Sequence, residues 1–187
     1  MEVTTKVVTL LLILASHSCA AQQTDWYIPE ARADSSEYHR YLTHTLDLRK
    51  KENRQLRQVS RTGAPKLKQP LSLLLLQSFH DTITAYKDDS STITLAEADS
   101  LSKLVDNSIL RIEEHRVFYK DKGRMVVRIL TLVFVDKYGK PLARFNYPQI
   151  REFFKGFVVR HPLYGGAMMS LDEYFENRYF KVEPSAN

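Results

Sequence analysis

Cysteine is almost missing. The 187 residues hold one, Cys19, and a single thiol can neither close a disulfide nor build a thiolate zinc site within the chain. Long apolar runs are missing too: no stretch approaches the roughly 20 residues that a membrane-spanning helix needs. The histidines after residue 21, His39, His44, His80, His115 and His161, include no pair four apart, and there is no His-Glu-x-x-His, so a helical zinc site is excluded. His39 and His44 stand five apart and point to different faces. No Gly-x-Ser-x-Gly occurs, and no Lys-Ser or Lys-Thr follows Gly165-Gly166, which removes a serine elbow and a phosphate loop. Glu113 and Glu114 are neighbours on an expected strand and face opposite sides, so they do not make a paired-carboxylate site. Asp88-Asp89-Ser90-Ser91 lacks the spaced oxygens of a calcium loop and reads as a plain turn. These absences point away from an enzyme, a metal and a cofactor.

What is present begins with a leader. Lys6 precedes the apolar residues 7–15, and small residues follow up to Ala21; residues 1–21 read as a secretory signal peptide cleaved before Gln22. Cleavage there removes the thiol. Lipid attachment at Cys19 is the alternative, disfavoured by the Ser16-His17-Ser18 context with no leucine just upstream. Residues 22–36 read as an extended arm carrying Trp26, Tyr27 and Pro29, an aromatic pair able to anchor in a neighbour or pack on its own domain. The formal net charge is +5. On an exported chain this suits an acidic protein partner or an anionic membrane surface rather than nucleic acid.

The remainder, residues 37–187, reads as one domain of α+β class, an antiparallel β-meander packed with several short helices. Its centre is 125–135, apolar and β-branched except for Arg128 and Thr131, which is the composition of a strand covered on both faces. Glycine-bearing polar turns at 120–124 and 136–141 flank it and join it to strands at 111–119 and 142–147. A buried helix at 125–135 is the alternative, and the turns and Val/Ile content speak against it. On this strand Ile129 and Val133 share one face, and Leu130, Leu132 and Phe134 the other. Residues 37–60 recur at helical spacing through Tyr38, Tyr41, Leu42, Thr45 and Leu46 and predict an amphipathic helix. Its end carries Arg49, Lys50, Lys51, Arg54 and Arg57, a solvated face or a partner-binding one. Helices are also expected at 71–80, at 94–106 with a Thr94/Glu97 capping box and Leu95, Ala98, Leu101, Leu104 and Val105 inward, at 147–154 opened by Pro148, and at 171–179 capped by Ser170. Residues 84–89 read as a strand end and turn.

Four blocks in order resemble the GldN/PorN family of the type IX secretion and gliding machinery of Bacteroidetes. They are Leu46-Asp-Leu-Arg-Lys-Lys-Glu-Asn53; the run 71–89, LSLLLLQSFHDTITAYKDD; the run 112–129, IEEHRVFYKDKGRMVVRI, similar to the family's I-x-E pattern; and Asn146-Tyr-Pro-Gln-Ile-Arg151 with the run 169–180, MSLDEYFENRYF. Tyr38 and Thr43 stand where the family carries tryptophan, and the chain stops soon after Phe180 where relatives continue, as in a short paralogue. The resemblance implies a non-catalytic periplasmic scaffold at the inner face of the outer membrane. It implies assembly with a PorK/GldK-like lipoprotein, repetition of the chain within a ring, and contact with the periplasmic part of a PorM/GldM-like motor. Trp26, Tyr27, Arg49, Lys50, Lys51, Arg54 and Arg57 are the candidate partner-binding residues. A small periplasmic domain enclosing an apolar ligand between sheet and helices is the other reading, and it requires a cleft of a few hundred Å³ there.

Overall fold

Strands dominate. The computed structural model describes residues 37–78, 83–120 and 122–182; the leader, the arm with Trp26 and Tyr27, and His80 lie outside them. Strand β1 (Glu37–Asp47) opens the described chain, and a 3-10 turn follows at Arg54–Arg57. Then come β2 (Val59–Arg61), β3 (Ala64–Gln69), α1 (Leu71–Ser78), β4 (Ala85–Tyr86), α2 (Leu95–Leu104), β5 (Val105–Tyr119), β6 (Arg124–Asp136) and β7 (Pro141–Asn146). The chain closes with α3 (Tyr147–Phe154), β8 (Phe157–Arg160), β9 (Met168–Ser170) and α4 (Leu171–Glu176). Two antiparallel sheets result, β1-β5-β6-β7-β4 and β3-β2-β8-β9. The α+β class holds, and the expected meander is β5-β6-β7.

Rows of cross-strand neighbours run over one face of the larger sheet. Leu46, Leu110, Phe134 and Ala143 form one row; His44, Ile112, Leu132, Phe145 and Ala85 form the next. The apolar members of both are buried. The third row is Leu42, Glu114 and Ile129, and the fifth is Tyr38, Phe118 and Met125, all exposed. The core therefore occupies one end of the sheet, and the β5–β6 hairpin carries the other end out beyond it. Burial on both faces of β6 is confined to residues 132–135, so the whole of 125–135 is not covered as its composition suggested.

The Ile129 face is also corrected. Glu113 pairs with Thr131 but Glu114 pairs with Ile129. Leu130 is the extra residue of a β-bulge, which shifts the alternation by one. Ile129 consequently joins Leu132 and Phe134 in the core.

Residues 37–60 do not form a helix. The apolar positions satisfy two periods at once, since Leu42, Leu46 and Leu48 also alternate on one face of an extended chain. Thr43, Thr45 and the tyrosines favour strand, and β5 supplies eleven in-register partners from Glu37↔Tyr119 to Asp47↔Ile109. Pairing of that length overrides a weak helical propensity. The four-stranded sheet was not anticipated at all: its strands are three to six residues long and depend on the pairing of Ser60 with Val158.

Local capping was legible. Thr94 Oγ1 accepts the Glu97 N–H at 3.4 Å and Glu97 Oε2 accepts the Thr94 N–H at 2.8 Å, completing the expected box. Helix α2 is shorter than expected. It ends at Leu104, and Val105 enters β5 with no intervening loop. Leu95 and Leu104 are exposed rather than inward, while Ala98 is buried. Ser170 Oγ accepts the Glu173 N–H at 3.0 Å and starts α4.

Candidate functional site

The charged residues sort into those that brace the fold and those that are free to meet a partner. The first brace forms where β1 ends. Asp47 accepts the Arg49 backbone N–H, Nε and NH2, each at 2.9 Å. The guanidinium and backbone bonds hold the Asp47 carboxyl at about 2, below the usual range. Its folded value lies under its unfolded one, so this stabilisation is complete above about pH 4 and fades as pH falls toward 2. Asp47→Asn is expected to lower stability by about 1 kcal/mol near neutral pH, since solvent screens a pair at this turn, and the gap from wild type closes in acid. Urea midpoints of both proteins at neutral pH and at about pH 2.5 measure it; a constant gap refutes the role.

Asn53 follows in the same turn and is fully buried. Its Nδ2 donates to the carbonyls of Asp47 (3.1 Å) and Lys181 (2.8 Å), and its Oδ1 accepts the Lys181 N–H at 2.7 Å. This amide ties the end of β1 to the segment after α4. Asn53→Ala leaves the Lys181 N–H and carbonyl unsatisfied and is expected to cost about 1–2 kcal/mol, read as a lower denaturant midpoint; an unchanged midpoint means the tie contributes nothing.

A second brace is centred on Glu114, fully buried beside Ile129 at the edge of the apolar core. Three groups surround it: Arg178 NH2 at 2.5 Å from Oε1, and His44 Nε2 at 3.2 Å and Arg116 NH2 at 3.4 Å from Oε2. The Arg178 contact lacks hydrogen-bond alignment, so charge rather than direction holds it. Glu113, on the opposite face, pairs instead with Arg144 at 2.6 Å, and the two carboxylates separate as the strand period requires.

The third brace joins α3 to α4. Arg151 binds Asp172 through Nε at 2.9 Å and NH2 at 3.2 Å, with Glu176 Oε2 3.4 Å away. Tyr147 donates to Glu176 at 2.8 Å. Burial, then the neighbouring Glu176 charge, pushes the phenol far up, and burial raises the Glu176 carboxyl. Tyr147 packs at the same time on Phe154 and Phe175, with ring centroids 6.2 and 5.7 Å apart. A phenol closed off in this way is structural.

Arg49, Lys50 and Lys51 lie in the turn after β1, and Arg54 and Arg57 are the ends of the short 3-10 segment that follows, not one continuous amphipathic helix. Arg49 is committed to Asp47. Lys51, Arg54 and Arg57 are exposed and carry no ion pair among the described residues. Sequence reasoning did not connect this turn with Lys68 on β3 or Arg160 on β8. Both share a cleft of about 470 Å³ with Arg54, Gln55, Gln58, Ser60 and Met168. It also overlooked a stack on the open sheet face. His39 Nδ1 lies 3.0 Å from His115 Nε2, and Tyr41 stacks on His115 with centroids 4.5 Å apart. Burial, His39 and Arg128 lower the His115 value. Among the described residues no three His, Cys, Asp or Glu side chains are placed to hold a metal. No described helix is long and apolar enough to cross a membrane.

Residues 31–183 match the family described as Gliding motility associated protein GldN. The chain belongs to the GldN family. No curated protein matches it. Membership associates this chain with gliding motility and type IX secretion, as a component of that machinery. The GldN-like blocks are also the braces. Asp47, Arg49 and Asn53 belong to the first block, Glu114 to the third, and Arg151, Asp172 and Arg178 to the fourth. Glu114–Arg178 joins third to fourth, Arg151–Asp172 joins the halves of the fourth, and in the second block Ser72 bonds Asn107. In this GldN chain Asn53, Glu114 with Arg178 and Arg151 with Asp172 hold distant segments together, while Asp47 and Arg49 brace their own turn.

Proposed function

We propose that this GldN-family chain is a non-catalytic scaffold of the type IX secretion and gliding machinery. It is exported by residues 1–21 and sits in the periplasm at the inner face of the outer membrane. It repeats within a ring, assembles with a PorK/GldK-like lipoprotein and meets the periplasmic part of a PorM/GldM-like motor. The observation that carries the reading is the family match over residues 31–183; it is supported by block residues such as Glu114, Arg178, Arg151 and Asp172 that act as internal braces, while Lys51, Arg54 and Arg57 stay exposed. Buried aromatic rings pack the core, Phe134 on Phe145 at 5.7 Å and Phe154 on Phe175 at 5.5 Å. A cleft of about 510 Å³ does open between α2 and β7, where Leu101, Pro141 and Leu142 lie beside Lys87, Asp88 and Glu97, and it is where the ligand-binding reading would place its ligand.

Charge on an exposed turn steers association more than it stabilises the fold. Reversal of Lys50, Lys51 and Arg54 to glutamate is therefore expected to reduce recovery of the lipoprotein by about tenfold at low salt, with the thermal midpoint unchanged. Trp26→Ala is expected to weaken recovery at all salt concentrations, since its contribution is apolar. Co-purification from envelope extracts, with mass spectrometry of the recovered proteins, reads both. Undiminished recovery in both variants removes these surfaces. Failure of wild type to recover any machinery component removes the scaffold role and favours the ligand-binding domain.

A further inference from the structure

The cationic turn is one wall of a larger trough. Two clefts meet there, of about 470 and 610 Å³, and Arg54, Gln55 and Arg160 line both. The first is floored by the outer face of the four-stranded sheet. Ser60 pairs with Lys68 across β2 and β3, and Arg160 pairs with Met168 across β8 and β9. The chain segments 54–60, 68 and 160–168 thus converge although they are far apart in sequence. Arg54, Lys68 and Arg160 are exposed and make no ion pair or side-chain hydrogen bond among the described residues, and no described carboxylate lines the first cleft. Three unpaired cations at one concavity raise the local concentration of an anionic partner.

The rest of the lining distinguishes a chain from a compact anion. Gln55 and Gln58 also line the first cleft, and a primary amide both donates and accepts, which suits the alternating N–H and C=O groups of a peptide backbone. Apolar side chains border the cations: Met168 in the first cleft and Leu163 in the second, 47% and 70% exposed. Arg54, Lys68 and Arg160 all line the first cleft; Arg54 and Arg160 also reach the second, where Lys51 and Lys181 continue the positive lining beside the single carboxylate Glu52, a spacing that suits carboxylates placed along an extended strand.

We infer that this trough binds an extended acidic segment of a partner protein. Its carboxylates lie between Arg54, Lys68 and Arg160, and an apolar side chain rests on Met168 or Leu163. This deepens the scaffold reading and rests on it for the partner's being a protein of the same machinery.

The test uses the full exported chain and a fluorescein-labelled peptide of sequence DELDEL, followed by fluorescence anisotropy. The neutral peptide NQLNQL, inorganic phosphate as competitor, and phosphatidylglycerol vesicles are the other arms. Wild type is expected to bind the acidic peptide and to lose about tenfold in affinity between about 50 and 300 mM salt, as screening shortens the reach of the cations. The pair Lys68→Glu with Arg160→Glu is expected to lose about tenfold or more. The pair Lys122→Glu with Lys137→Glu, outside both clefts, makes the same change in net charge and is expected to bind as wild type does. Circular dichroism melts of both variants establish that they fold. Equal binding of the neutral peptide, equal loss in both charge pairs, full displacement by millimolar phosphate, or binding of vesicles in preference to peptide would each overturn the inference. Peptide binding without machinery components in co-purification refutes the scaffold reading alone. Co-purification that survives the Lys68/Arg160 reversal, with no peptide binding, refutes the trough alone.

Discussion

Phe134→Ala is expected to lower the free energy of unfolding by about 3–5 kcal/mol, the range for a buried aromatic truncated to alanine. Phe134 is 1% exposed. On β6 it faces Leu110 of β5 and Ala143 of β7, and its ring meets Phe145 edge-on, with centroids 5.7 Å apart at 77°. Its cross-strand neighbour Ala143 is small and buried, so truncation opens a cavity that the β-strand neighbours cannot close without breaking their ladder. The edge-to-face contact with Phe145 is lost as well, at about 0.5–1.5 kcal/mol beyond the area term. Phe134→Leu refills most of the volume and is expected to cost about 1–2 kcal/mol. Denaturant unfolding with unchanged m-values measures both. A midpoint near wild type for the alanine variant would mean that this row does not carry the core.

The next largest effect is expected at Arg178. The helix α4 ends in a Schellman arrangement, Tyr179 N–H to Tyr174 carbonyl and Arg178 N–H to Phe175 carbonyl, both at 3.0 Å. The residue at the left-handed position of that motif is usually glycine; here it is Arg178, with φ of +54°. A side chain there costs about 1–2 kcal/mol. The compensation is the contact with Glu114, whose charge would otherwise be buried beside only His44 and Arg116. Arg178→Ala keeps the backbone cost and loses the counter-charge, and is expected to destabilise by about 3 kcal/mol, the low end for a broken buried pair because two other groups remain. Arg178→Gly relieves the backbone, and its loss is expected to be about 1 kcal/mol smaller. In a double-mutant cycle with Glu114→Gln, the losses are expected to be less than additive by at least about 1 kcal/mol. A glycine variant more stable than wild type, or strict additivity, would show that Glu114 does not need Arg178.

The family resemblance was legible because the four blocks keep their order, and their internal spacing was enough to recognise them. What the blocks do was not legible, because, apart from Asp47 with Arg49, the braces join residues that no local window contains: Asn53 with Lys181, Glu114 with Arg178, Arg151 with Asp172. The same reason hid Lys68 and Arg160 from the cationic turn at Arg54. A charge run reads as a surface in sequence, and only pairing in space separates Arg49, held by Asp47, from Arg54, which has no ion pair among the described residues.

By itself the sequence determined the features whose physics is local. Turn residues at 120–124 and 136–141 set the β5-β6-β7 meander, Thr94 with Glu97 and Ser170 with Glu173 started two helices, and Pro148 opened a third; each acts within about four residues of itself. Tertiary structure decided whatever needed a distant partner. Residues 37–47 carry apolar positions compatible with both helix and strand, and the eleven-residue ladder offered by β5 selected the strand. The bulge at Leu130 shifts the β5–β6 register between Glu113 and Glu114, a feature of the pairing that no local window shows, and it put Ile129 into the core. The short strands of the second sheet have no stability alone, since a ladder of three to six residues fixes backbone entropy for few bonds until a neighbour is present.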